Sequence, residues 1–229
     1  MALIKVLMIL TSGYDLKGHP TGTWIEEVAT PYYAFKEAGF EVTQVSMKGG
    51  PVPIDVASMQ GDFFTPPAKK FLWDAEAMAA FEHTKALKDV NVLEYDAIFI
   101  PGGHGTCVDE HKDAPDMKQA VETMYAAGNK IVSAVCHGPG AFIECKKPNG
   151  EPLVKGLEVC GFSNSEEAAV NLQNLVPYSL EDEFKKAGGL YQKVADWHSI
   201  AVRDGNLITG QNPQSSEAVA ILVIEALKE

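Results

Sequence analysis

Residues 130–142 read KIVSAVCHGPGAF. Lys130 to Val135 is an apolar run rich in β-branched residues, the composition of a strand buried on both faces. Cys136 and His137 follow at once, and Gly138, Pro139 and Gly140 open a segment able to become a helix. In an open parallel sheet the carboxyl ends of the strands line the crevice where ligands bind. A sharp turn at such an end exposes a nucleophile when small residues surround it, and Gly138 and Gly140 are small. The pattern predicts Cys136 at the mouth of a crevice, with a helix N-terminus aimed at its sulfur and favouring thiolate. His137 beside the thiol then needs an orienting carboxylate. Glu166 and Glu167, in CGFSNSEEAAV at 160–170, are the nearest candidates. A cysteine alone is more often an inert core residue; the specific signal is the strand, the Cys-His pair and the Gly-Pro-Gly together.

Outward from this stretch, strands and helices alternate. Ile4 to Leu10, Glu41 to Ser46, Ala97 to Ile100 and Leu157 to Phe162 read as further strands. Trp24 to Ala38 has helical spacing with Pro31 inside it, and residues 113–130 give a helix with an acidic start and a stop at Gly128. SLEDEFKKAGG (179–189) starts at Ser179 as N-cap and ends on a glycine pair. Asp204-Gly205 joins two apolar runs as a hairpin, and residues 215–228 form a last, apolar helix. This alternation predicts an α/β three-layer sandwich, a mostly parallel central sheet with helices on both faces. The expected organisation is one domain over residues 1–229. Residues 47–73, rich in Pro, Gly and aromatics, are read as an insertion folded over its edge.

The 229 residues are 46% hydrophobic and 22% charged, ordinary globular values. With 19 basic and 31 acidic residues, the net charge of −12 disfavours nucleic acid or an anionic membrane as partner. No apolar run reaches the roughly 18–20 residues of a membrane span. MALIKVLMILTSG reads as a buried strand rather than an export signal. Four cysteines with no CxxC pair read as free thiols in a reducing, cytoplasmic setting.

AVCHGPGAF (134–142) resembles the nucleophile elbow of the ThiJ/PfpI superfamily, which has the class I glutamine amidotransferase-like fold. VLMILTS, TGTWIEEVATPYYAFKEAGFEV, YDAIFIPGGHG, GFSNSEE and DGNLITGQNPQSS resemble it in order along nearly the whole chain. The TG-x-W-x-x-E-x-x-x-P pattern and the insertion are most similar to the branch of glutathione-independent glyoxalase III and related heat-shock chaperones. The resemblance implies a Cys136–His137–Glu167 triad, with Glu167 preferred to Glu166 by its distance from Phe162. It implies that Glu27, rather than its neighbour Glu26, contacts the sulfur. A carboxyl there should have its pKa raised by burial and like charge. It also implies that Gly103 and its neighbour Gly102 supply oxyanion N–H groups, with His104 beside the substrate.

The implied activity is cofactor-free, lyase-type conversion of methylglyoxal or a similar small 2-oxoaldehyde to lactate, in a homodimer. The alternatives are a holding chaperone or redox sensor, or deglycation by the same cysteine; chaperoning would use Phe63, Phe64, Phe71 and Trp73 as an apolar patch, although the preferred reading packs these aromatics onto the core. No phosphate-loop or dinucleotide fingerprint is present, so no cofactor is expected. His104, Glu110 and His111 match no strong zinc spacing, so no metal is expected. Cys107, Cys145 and Cys160 are read as inert, Cys107 being the nearest to the site.

Overall fold

The computed structural model describes residues 3–229. Seven strands form the main sheet. From edge to edge they run Ala201–Asp204, Leu207–Gly210, Ile131–Val135, Ala97–Ile100, Lys5–Leu10, Glu41–Ser46 and Lys85–Ala86. All neighbours pair in parallel except the first two, the hairpin around Gly205. The Lys5–Leu10 strand shows why the sheet sits between two layers. Side chains alternate along a strand, so Val6, Met8 and Leu10 enter a cluster with Val28, Phe35 and Val219. Leu7 and Ile9 enter the opposite one with Met117, Val121 and Met124. Helices Ile25–Glu37 and Ser216–Lys228 cover the first face, and Pro115–Ala126 covers the second. Each large aliphatic side chain buried this way contributes about 1.5–3 kcal/mol.

Lys5–Leu10 pairs with Glu41–Ser46 on one side and with Ala97–Ile100 on the other. The chain therefore reverses its direction of travel across the sheet at this strand. A crevice opens beyond the strand ends at such a switch point. The turns after Ala97–Ile100 and Ile131–Val135 both stand there.

Two expectations from the sequence are corrected. The run at 157–162 joins no main-sheet strand; only Glu158–Val159 is strand, paired in parallel with Leu190–Tyr191 in a separate two-stranded sheet. The residues after His137 form a short 3-10 turn, Gly138–Phe142, not an α-helix. The insertion holds helix Pro66–Trp73, capped by the Thr65 side chain on Ala68 N, and leads into helix Ala75–Glu82. Its aromatics do not make a patch. Phe71 is fully buried between Tyr32 and Phe81, Phe63 and Phe64 are half-buried, and Trp73 alone of the four is open, at 89% exposure. Among the described residues no helix is long and apolar enough to cross a membrane.

Candidate active site

Cys136 sits at φ +61°, a left-handed conformation that strains a non-glycine residue by about 1–3 kcal/mol. Its backbone is pinned on both sides: N–H donates to Gly210 O at 3.0 Å, and its carbonyl accepts from Phe162 N at 2.8 Å. Room for the turn depends on Gly138, where an added Cβ would stand 2.3 Å from the Ile100 carbonyl oxygen. The elbow thus follows from a strand end, two backbone anchors and one residue without a side chain.

His137 Nδ1 lies 3.4 Å from Cys136 Sγ, and its Nε2 is 2.7 Å from Glu167 Oε2. The other carboxylate oxygen, Oε1, is 2.8 Å from His104 Nε2. Glu167 thus bridges two imidazoles. Burial alone would raise its pKa, but His137 and His104 together hold it well below the usual carboxylate range. Burial and the neighbouring His137 lower the pKa of His104, which keeps it neutral. His104 lines the cavity, yet its Nε2 is engaged with Glu167 rather than free for a substrate oxygen. Glu166, one position earlier, points elsewhere: its carboxylate accepts from Ser163 N and Oγ, Trp197 N and Asn212 Nδ2. It acts as a structural clamp.

Glu27 is fully buried on the Ile25–Glu37 helix. Its Oε2 accepts the Gly102 N–H at 2.6 Å, so that N–H is not open to an oxyanion. Oε1 has no N–H or O–H donor, and the carboxyl couples instead to the Cys136 thiol. Burial pushes the Glu27 pKa up to about 8, with the Gly102 N–H and the thiol opposing. Glu26 faces away, toward the Thr30 and Thr65 hydroxyls. The sulfur departs from the sequence expectation. Burial first, then the neighbouring Glu27 carboxyl, push the Cys136 thiol well above its ordinary pKa, and the Gly103 N–H only partly offsets them. Burial thus opposes the thiolate that the sequence pattern predicts. Gly103 itself adopts φ +99°, a conformation that favours glycine.

Cys136 and His137 open on a cavity of about 210 Å³ walled by Trp24, Phe63, Phe162 and Trp197. Phe162 packs on His137 with ring centroids 4.4 Å apart, and Phe63 lies edge-on to Trp24 at 5.1 Å and to Trp197 at 5.9 Å. No lysine or arginine lines it among the described residues. Sequence reasoning passed over Trp24, Phe63 and Trp197 as site residues. Trp24 carried a signal, standing three positions before Glu27 in the motif; Trp197 carried none. Cys107 is buried with its thiol 3.5 Å from Tyr178 OH and its pKa pushed up to about 12, and Cys145 and Cys160 are likewise buried with raised pKa values. His104, Glu110 and His111 do not converge. Glu110 is buried with both oxygens unpartnered, and His111 stacks on Tyr178.

A strained cysteine at a strand end, beside a histidine and backed by a buried glutamate, defines a class of cysteine-dependent α/β proteins. The chain belongs to the DJ-1/PfpI family, whose model matches residues 21–226. It is 34% identical to the glutathione-independent glyoxalase HSP31 of Saccharomyces cerevisiae over the full length of both chains. The crystal structure of glyoxalase III from Candida albicans superposes with a TM-score of 0.88 at 32% identity, covering 97% of each chain. That of Rapid Encystment Protein 24 kDa from Francisella tularensis gives 0.92 at 36% identity, covering 98% of this chain and 99% of its own.

Proposed function

We propose that this protein is a glutathione-independent glyoxalase that converts small 2-oxoaldehydes, methylglyoxal first, to 2-hydroxy acids through Cys136. The observation that carries this reading is one sulfur flanked by an imidazole Nδ1 at 3.4 Å and by the buried carboxyl of Glu27, at the wall of an apolar cavity. A cavity of about 210 Å³ corresponds to roughly seven waters at about 30 Å³ each, room for a small dicarbonyl. No lysine or arginine lines it among the described residues to hold the carboxylates of glutathione. The full-length similarity to proteins named glutathione-independent glyoxalase supports the same reading.

The chemistry follows from the raised pKa values. The thiol proton passes to His137 Nδ1 as sulfur adds to the aldehyde carbon, and Glu167 stabilises the imidazolium so formed. The new alkoxide lies toward the Gly103 N–H and takes a proton from neutral Glu27. Glu27, now a carboxylate, removes the hydrogen from that same carbon, and the imidazolium protonates the neighbouring oxygen, giving an enediol. Glu27 returns its proton to the second carbon, and His137 takes the proton from the first hydroxyl, leaving a thioester. Glu27 takes a proton from the water that attacks the thioester, and His137 returns its proton to the leaving sulfur, which restores the thiol, the neutral imidazole and the neutral carboxyl. The sum is one 2-oxoaldehyde and one water to one 2-hydroxy acid. A group with pKa near 8 suits both halves of this proton transfer, being close to the operating pH.

The four free cysteines and the family resemblance support a reducing, cytoplasmic setting and a homodimer. A holding-chaperone role has less support, since only Trp73 of its four aromatics is open. The test of the catalytic reading is lactate formation from methylglyoxal without glutathione, by wild type and Cys136→Ala. Loss of at least 1000-fold in the variant is expected; wild-type turnover in Cys136→Ala would overturn the reading.

A further inference from the structure

The sequence suggested His104, Glu110 and His111 as an unconvincing metal trio, and the fold brings a different one together. His104, His137 and Glu167 each offer a ligand atom within 4.8 Å of the others, the one such set of three among the described residues. All three side chains are close to buried, at 7%, 3% and 12% exposure. Two imidazoles and one carboxylate are the donor set of a zinc site with an open fourth position, and harder cations such as magnesium prefer all-oxygen sets.

The group is reachable from two sides. His104 and His137 line the aromatic cavity, whereas Glu167 lines a separate cleft with Asn164, Gln173, Tyr178 and Asp182. A net charge of −12 favours approach of a divalent cation. The carboxylate now sits 2.7 and 2.8 Å from the two Nε2 atoms, joined by hydrogen bonds. With zinc–ligand bonds of about 2.0–2.2 Å at tetrahedral angles, these atoms would stand about 3.3–3.6 Å apart. Binding therefore requires the Glu167 carboxylate to draw back from both nitrogens.

We propose that His104, His137 and Glu167 form an inhibitory zinc site that silences Cys136 without touching its sulfur. Zinc takes the Nε2 lone pairs of both histidines, so each ring keeps its proton on Nδ1. A His137 with Nδ1 protonated and Nε2 on the metal has no lone pair to receive the thiol proton. The histidine that would activate the cysteine thereby becomes a fixed ligand. Protons compete for the same lone pairs, so zinc affinity falls as pH is lowered. The binding step is independent of the reaction proposed above; only the inhibition rests on that reading.

The test is zinc titration by calorimetry of wild type, Cys136→Ala and His104→Gln, with X-ray absorption at the zinc edge on the wild-type complex. Gln at 104 keeps a donor for Glu167 but is a poor zinc ligand. Expected are one site per chain, affinity within about threefold of wild type in Cys136→Ala, and at least tenfold weaker binding in His104→Gln. The absorption spectrum should contain two imidazoles and oxygen or nitrogen donors with no sulfur. Sulfur in the coordination shell, loss of binding in Cys136→Ala, unchanged binding in His104→Gln, or no binding at 100 µM zinc (about −5.5 kcal/mol) would each overturn the proposal. If zinc binds as described but wild type turns over no 2-oxoaldehyde, the metal site stands and the catalytic reading fails.

Discussion

The Gly102 N–H donates to Glu27 Oε2 across 2.6 Å, tying the first helix to the turn after Ala97–Ile100. That bond fixes a carboxyl beside the Cys136 sulfur; burial raises the cost of ionising both groups, and Glu27 adds to that of the thiol. Both groups are thereby pushed toward their protonated forms.

Glu27→Gln keeps the shape and a partner for Gly102 N–H but cannot move a proton. Steady-state kinetics on methylglyoxal should give kcat lower by about 10²–10⁴-fold with KM changed little. The wild-type rate should fall on a basic limb near pH 8, the pKa of Glu27, because the neutral acid is the form that protonates the alkoxide.

The same substitution should change how stability depends on pH. The folded-state pKa of Glu27, about 8, lies above its ordinary value of 4.5, so the native state holds this proton across that interval and the unfolded state does not. Its favourable contribution is complete below 4.5 and is lost as pH rises toward 8. Denaturant titrations from pH 5 to 8 should show wild type losing stability relative to Glu27→Gln, by up to about 1.4 kcal/mol per pH unit.

Glu167 has the opposite sign. Its pKa is lowered, so its contribution is complete above the ordinary value of 4.5 and is lost as pH falls toward the depressed folded value. Glu167→Gln should therefore flatten the acid side of the stability curve. It should also cut kcat by about 10³–10⁴-fold, as an orienting acid does when it becomes an amide.

The elbow was legible because its chemistry is contiguous: strand, Cys136, His137 and two glycines stand in thirteen residues. The parallel strands were legible as apolar runs buried on both faces. Helix Pro66–Trp73 lies within the insertion, to which no helix was assigned; Pro66 and Pro67 occupy its first turn, where proline is tolerated. Glu158–Val159 was over-extended because an apolar run does not reveal which strand it pairs with. The thiol's protonation depends on burial and on a carboxyl 109 positions away in the chain, a tertiary fact that the Cys-His-Gly pattern does not carry. Trp197 stands in the cavity wall at φ +62°, its N–H donating to Glu166 Oε1 and its ring against Phe63 and Phe162, contacts that no local pattern announces.

Trp197→Ala opens the aromatic wall. KM for a bulky apolar 2-oxoaldehyde such as phenylglyoxal should rise by about 10–100-fold, matching about 1.5–3 kcal/mol of lost burial. Methylglyoxal, with only a methyl group to bury, should change by much less, and competition between the two substrates measures the difference.

The claim on which the account rests is that Cys136 bonds covalently to the substrate. It is tested most directly by acid-quenched mass spectrometry of Glu27→Gln mixed with methylglyoxal, where the first adduct should accumulate because the next proton transfer is blocked. The expected result is one methylglyoxal on the peptide holding Cys136 and none on those holding Cys107, Cys145 or Cys160. Lactate formation by wild type together with no adduct on Cys136 at any quench time would contradict it.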